Sequence, residues 1–169
     1  MPASRSVEDP LQRPLPRDAA VRIATAGGIG FLPIAPATWG SFVVALILWL
    51  IGAPVSAWRV GLVAMLAGGL APVAVWAADH AEQRYGHDAR CIVIDEAVGM
   101  LFAALLIPWD LLHLLAAFVL FRVFDVLKPP PVFQLQSLPG GRGVLMDDVA
   151  AGAYSLLVLL AAQLWVPGF

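Results

Sequence analysis

Apolar residues fill this chain in long blocks, at about 39–53, 57–78, 97–108, 111–127 and 149–166. The breaks between them are Pro54, a polar stretch from Asp79 to Arg90, the Pro108-Trp109-Asp110 turn and a Pro/Gly-rich loop from Pro129 to Gly143. The pattern predicts an all-α fold, a compact multi-helix membrane bundle with about five hydrophobic helices. Residues 1–20 break it differently. Pro2, Pro10, Pro14 and Pro16 stand there among charges of both signs, so the segment reads as a flexible tail without the apolar core of a signal peptide. Residues 21–169 then form a single domain, and no internal repeat or low-complexity tract divides it.

Composition bears on the solvent. With 60% hydrophobic and 13% charged residues and a mean hydropathy of +0.84, the chain lies outside the soluble range of roughly half apolar and a quarter charged. That favours a membrane protein surrounded by lipid. Several runs fall short of the roughly 20 residues a span requires, which leaves open a soluble helical domain with a very apolar core. A net charge of −2, without a nucleic-acid motif or sustained basic patch, argues against a nucleic-acid partner.

Four polar patches interrupt the apolar background: Gly27-Gly28-Ile29-Gly30 through Ser41, Ile94-Asp95-Glu96, Arg122 to Lys128, and Gly140-Gly141-Arg142-Gly143 through Asp147-Asp148. Polar groups in such a setting are costly to keep and mark candidate chemistry. Threading five helices from an inside N-terminus places Arg5, Arg13, Arg17, Arg22, Arg84, Arg90, Arg122, Lys128 and Arg142 on the cytoplasmic side, with only Arg59 opposite. The same threading gathers all four patches at cytoplasmic helix ends, where they form one candidate site.

Each patch has its own logic. Gly27, Gly28 and Gly30 permit positive φ and can turn several N–H groups toward one anion, with Thr38 and Ser41 as hydroxyl donors nearby; close packing of a turn explains the glycines equally. The P-loop lysine is missing. Asp95-Glu96 and Asp147-Asp148 each precede an apolar run, where one acid serves as an N-cap. Paired carboxylates exceed that need and supply hard oxygen ligands for Mg²⁺. Arg122, Asp125 and Lys128 share one broad side of a helical end before Pro129. The two cations there suit phosphate, and Asp125 a metal or a salt bridge.

The motifs Gly28-Ile29-Gly30-Phe31-Leu32-Pro33-Ile34-Ala35-Pro36-Ala37-Thr38-Trp39-Gly40-Ser41, Ile92 through Gly99, Phe121 through Pro129 and Gly140 through Gly152 together resemble phosphatidylglycerophosphatase A, a bacterial Mg²⁺-dependent lipid phosphatase family. They cover most of the chain in the family's order and leave the N-terminal tail unmatched. Ala37 stands where the family has glycine, and Pro130 where it often has tryptophan. The resemblance implies removal of the terminal phosphate of phosphatidylglycerophosphate, to give phosphatidylglycerol and inorganic phosphate, at the cytoplasmic face of a bacterial inner membrane.

On this reading the catalytic residues are Asp95, Glu96, Asp125 and Asp148. A subset of Asp95, Glu96, Asp125, Asp147 and Asp148 holds Mg²⁺, which positions or activates the attacking water. Gly28, Gly30, Thr38, Ser41, Arg122 and Lys128 bind substrate phosphate. Attack by a carboxylate stays open.

Other chemistries fit less well. Cys91 lacks an arginine six places on, where Ala97 stands, and reads as a packing residue. His80, His87 and His113 lack metal-ligand spacing, while His87 and Asp88 border the site as polar loop residues or proton carriers. The competing functions are a phosphatase or transferase for another lipid phosphate, a structural membrane subunit, and a small membrane transporter, whose polar groups would sample the midplane.

Overall fold

The structure is a computed structural model that describes residues 18–165, and these contain helices and turns but no strand. The expected tail therefore lies outside the described residues up to position 17. Its last two residues already belong to helix α1 (Ala19–Ala24), which starts where Asp18 Oδ1 accepts the N–H of Ala20 at 2.9 Å. A 3-10 segment, Ala26–Phe31, follows. In it Gly27 (φ 70°) and Gly28 (φ 109°) hold left-handed backbone that a side chain would strain.

Local sequence sets the remaining ends. Helix α2 (Pro36–Ile51) opens on a proline in its first turn and closes on left-handed Gly52, whose N–H donates to Leu48 O at 3.0 Å. Helix α3 (Ala57–Tyr85) passes Pro72 and stops at Gly86. Helix α4 (Ile94–Ala103) is only ten residues long. Helix α5 (Leu111–Leu127) is capped by Asp110, whose Oδ1 accepts the His113 N–H at 3.1 Å, and ends at left-handed Lys128 before Pro129. A short α6 (Val132–Gln136) leads into α7 (Gly141–Trp165).

Five apolar runs do not become five spans. Among the described residues, two helices are long and apolar enough to cross a membrane: α3 with 29 residues and α7 with 25. At about 1.5 Å per residue, α2 reaches about 24 Å and α4 only about 15 Å, against a hydrocarbon core of roughly 30 Å. The run at 97–108 fails because its helix stops at Ala103, and residues 104–107 turn toward Pro108. The expected break at Asp79 also moves: α3 continues through Asp79, His80 and Glu82 to Tyr85.

Helix α4 sits at the centre, touching α2, α3, α5 and α7. One side of the core joins Met100, Ile107, Phe121 and Leu159; the other packs Ala74, Ala77, Ala78 and Ala81 of α3 against Ile92, Ile94, Val98 and Val144. Small residues let the helices approach. Gly40 brings α2 against Val93, and a methyl on Gly152 would overlap the Gly99 carbonyl oxygen where α7 crosses α4. At the end far from Asp95, buried Arg59 donates from Nη2 to the carbonyls of Leu105 (3.3 Å) and Ile107 (3.0 Å) and lies over the Trp109 ring.

Candidate active site

The four acids expected to precede helices lie inside them. Asp95 and Glu96 occupy the first turn of α4, whose N-cap is Val93 with no side-chain cap bond. Helix α7 begins at Gly141, so Asp147 and Asp148 stand almost two turns within it. The expected helix starts were late because the charged residues resemble the ends of apolar runs, whereas burial of the helix face decides. None of these four side chains is an N-cap, and all four are buried.

The α4–α7 crossing brings them together. Carboxylate oxygens of Asp95, Glu96 and Asp148 lie within 4.8 Å of one another, as do those of Asp125, Asp147 and Asp148. Asp148 thus joins two triads. Within them Asp95 Oδ1, Glu96 Oε2 and Asp148 Oδ2 are buried without a hydrogen-bond partner, a state that costs free energy unless a cation or proton compensates. Burial pushes the Asp95 carboxyl up to about 6. Burial, with repulsion from Asp95 and Asp148, holds Glu96 well above the usual carboxylate range. Clustered hard oxygens with unmet acceptor capacity fit a divalent cation such as Mg²⁺.

Two cations flank the acids. Lys128 Nζ donates to Asp147 Oδ2 at 2.6 Å, and Arg122 Nη1 lies 3.0 Å from Asp125 Oδ2. Burial works against the Lys128 charge, but its bond to Asp147 and the surrounding acids outweigh that and hold its pKa above the ordinary value. The salt-bridge reading of Arg122 and Asp125 is therefore realised, and the guanidinium retains further donors.

A cleft of about 280 Å³ opens onto this cluster. Its wall includes Thr38, Asp88, Arg90, Asp95, Glu96 and Arg122. Asp125, Lys128, Asp147 and Asp148 lie outside its lining, with Asp148 linking the two parts through its triads. Gly28, Gly30 and Ser41 are also outside it. Ser41 Oγ donates to Ala37 O at 3.0 Å within its own helix, and Gly30 packs under the Cys91 carbonyl, where a side chain would overlap it.

Sequence reasoning counted Arg90 only among the basic residues of one membrane side, although the structure puts it in the cleft wall, and gave Asp79 only a loop role. From α3, Asp79 Oδ1 accepts the Gly141 N–H at 2.7 Å and anchors the start of the helix that carries Asp147 and Asp148. Asp88 reaches the cleft wall, but its Oδ2 accepts from Gln136 Nε2 at 2.9 Å. His87 points its Nδ1 to Glu82 Oε1 at 2.6 Å. Burial raises the Cys91 thiol to about 11, which keeps it protonated at neutral pH and unfit as a nucleophile.

The profile of the phosphatidylglycerophosphatase A family matches residues 22–163. A Bacteroides thetaiotaomicron protein provisionally named a phosphatidylinositol-3-phosphatase is 37% identical over 159 residues, covering 88% of this chain and 95% of its own. Phosphatidylglycerophosphatase A of Escherichia coli is 33% identical over 140 residues, 81% of this chain and 79% of its own. The Haemophilus influenzae protein of the same name is 43% identical over 84 residues, 47% of this chain and 50% of its own. No solved structure matches the chain.

Proposed function

The chain belongs to the phosphatidylglycerophosphatase A family, and on that premise we propose that it removes the terminal phosphate of phosphatidylglycerophosphate, leaving phosphatidylglycerol and inorganic phosphate. The observation that carries the chemistry is the buried acid cluster, Asp95, Glu96 and Asp148, with three carboxylate oxygens unpartnered beside a cleft that also holds Arg122.

Asp95, Glu96 and Asp148, with Asp125 and Asp147 behind them, would hold Mg²⁺. Such an ion would supply Lewis acidity toward a phosphate oxygen and would favour ionisation of the attacking water. The chain's own groups do the rest. Arg122, steadied by Asp125, presents its remaining donors to the phosphoryl oxygens, whose charge shifts as the bond from phosphorus to the glycerol oxygen breaks. Thr38 and Arg90 in the cleft wall add donors to the same group. A carboxylate oxygen of Asp95 or Glu96 that the ion leaves free is the base in reach for the proton that water gives up as its oxygen bonds to phosphorus, and the same carboxyl returns that proton to the glycerol oxygen as it departs. Lys128 acts by holding Asp147 in place.

The same reading sets the enzyme in a bacterial inner membrane, with α3 and α7 crossing and the shorter helices packed beside them. Exposed Leu, Val, Met and Trp side chains on α2, α3, α5 and α7 support lipid contact. Arg84, Arg90, Arg122, Lys128 and Arg142 lie toward the end of the bundle that carries the acids, while Arg59 lies at the other, which supports a cytoplasmic active site.

The test is a substrate panel. Purified protein with Mg²⁺ should release phosphate from phosphatidylglycerophosphate faster than from phosphatidylinositol 3-phosphate, the lipid in the name of the Bacteroides relative. A reversed order would move the activity to the second lipid, and release from neither would refute the reading.

A further inference from the structure

The polar cleft and an apolar groove lie on one seam between α2 and α5. The two helices run antiparallel. Their register is fixed where the Phe42 and Phe118 rings meet edge to face at 6.1 Å. Counting outward from that pair at equal rise sets Thr38 level with Arg122, Ala45 with Leu115, and Trp49 with Leu111. The first of these pairs lines the cleft beside Asp95 and Glu96. The other two, together with the Phe42–Phe118 pair itself, line a separate groove of about 80 Å³ whose wall is made of apolar residues. A change from charge to hydrocarbon within one helical turn matches the boundary of a phospholipid, a phosphorylated head joined to acyl chains.

We propose that one acyl chain of the lipid substrate lies along this open groove, its inner side against the groove wall and its outer side toward the surrounding lipid, while the head occupies the cleft, an inference that rests on the lipid phosphatase reading above. Length supports it. From the level of Thr38 to that of Trp49 the seam runs about 16 Å, half of a hydrocarbon core of roughly 30 Å, which is the depth a single chain occupies in its leaflet. Chemistry supports it too. Trp39, exposed on α2 next to Thr38, meets Phe42 edge to face at 5.7 Å, so aromatic rings line the path from the cleft lip to the groove. The chain makes the cleft selective for phosphate carried on a lipid rather than on a soluble alcohol, because burying its methylenes adds binding that a short or absent chain lacks.

Filling the groove tests this. Leu46 and Leu115 line it yet are exposed at 36% and 54%, so Leu46→Trp and Leu115→Trp intrude on the groove without disturbing the buried core. Leu66→Trp, at an exposed position on α3 away from the seam, is the control. Each variant is assayed in detergent with dipalmitoyl and dihexanoyl phosphatidylglycerophosphate and with the deacylated headgroup. The expected result is a fall of at least tenfold in kcat/KM for the dipalmitoyl lipid in both groove variants, little change for the dihexanoyl lipid or headgroup, and no change in the control. Equal losses on all three substrates, equal losses in the control, or undiminished dipalmitoyl turnover would each overturn the groove assignment. If the parent protein hydrolyses the dipalmitoyl lipid and the headgroup with equal kcat/KM, the acyl subsite is refuted while the phosphatase reading stands. If it hydrolyses none of the three, both fall.

Discussion

Gly152 on α7 faces the carbonyl oxygen of Gly99 on α4, with no room for a methyl group between them. This contact sets how closely the helix bearing Asp147 and Asp148 approaches the one bearing Asp95 and Glu96. Gly152→Ala is expected to destabilise the protein by about 1–3 kcal/mol, the usual cost of overpacking, and to lower turnover by prying the acids apart. Gly68→Ala in α3, where a methyl meets open space, is expected to be neutral or slightly stabilising. Thermal unfolding of both purified variants checks this; a Gly152→Ala protein as stable and active as the parent would contradict it.

Asp→Asn preserves size while removing the charge a metal ligand needs. Asp95→Asn, Asp125→Asn and Asp148→Asn should each lower turnover at least about a hundredfold, roughly 2.7 kcal/mol of transition-state stabilisation. Folding should persist, because capping is not what Asp95 and Asp148 do here. Phosphate release normalised to folded protein is the readout, and preserved activity per folded molecule would return these acids to structural duty.

Lys128 and Asp147 form a pair at 2.6 Å, with the Asp147 side chain buried. Removing only the cation strands a buried carboxylate, so Lys128→Met is expected to cost about 1–3 kcal/mol. Adding Asp147→Asn should restore part of it. The folded pKa of Lys128 is raised. Its contribution is therefore present in full below the ordinary lysine pKa and is lost only as pH rises through the higher folded value. Denaturation followed from pH 7 into the alkaline range should show the gap between the single variant and the parent constant below the ordinary lysine pKa and narrowing only above it; a gap that never narrows would contradict this pairing.

Cys91 is buried against the glycine turn, with its thiol raised to about 11. Cys91→Ser should leave kcat within about threefold of the parent, a difference of less than about 1 kcal/mol. The parent should resist thiol alkylation at pH 8 in its folded state. Loss of turnover with the fold intact would make the thiol part of the chemistry.

Much of this was legible in the sequence, and the gaps have physical reasons. Carboxylates in a lipophilic chain are few, so Asp95, Glu96, Asp125, Asp147 and Asp148 stood out, and the structure gathers them on α4, α5 and α7. Helix ends were harder to read. Polar residues at Asp79–Glu82 and at Asp147–Asp148 look like loop from hydropathy alone, yet they continue helices because their backbone bonds are made within α3 and α7. The number of spans was overestimated because an apolar run does not reveal whether the helix stops, as α4 does at Ala103. The bond from Gly141 to Asp79 joins residues 62 positions apart, a pairing no local pattern announces.

Phosphate release should depend on a divalent cation held by the buried acids. Purified protein is stripped of divalent ions with a chelator, shown still helical by circular dichroism, and assayed on phosphatidylglycerophosphate as Mg²⁺ is returned, beside Asp148→Asn treated the same way. No measurable release is expected from the stripped protein, with recovery on adding Mg²⁺ and little recovery in Asp148→Asn, whose carboxylate joins both triads. Undiminished turnover by the stripped, folded protein, or full recovery in Asp148→Asn, would contradict it.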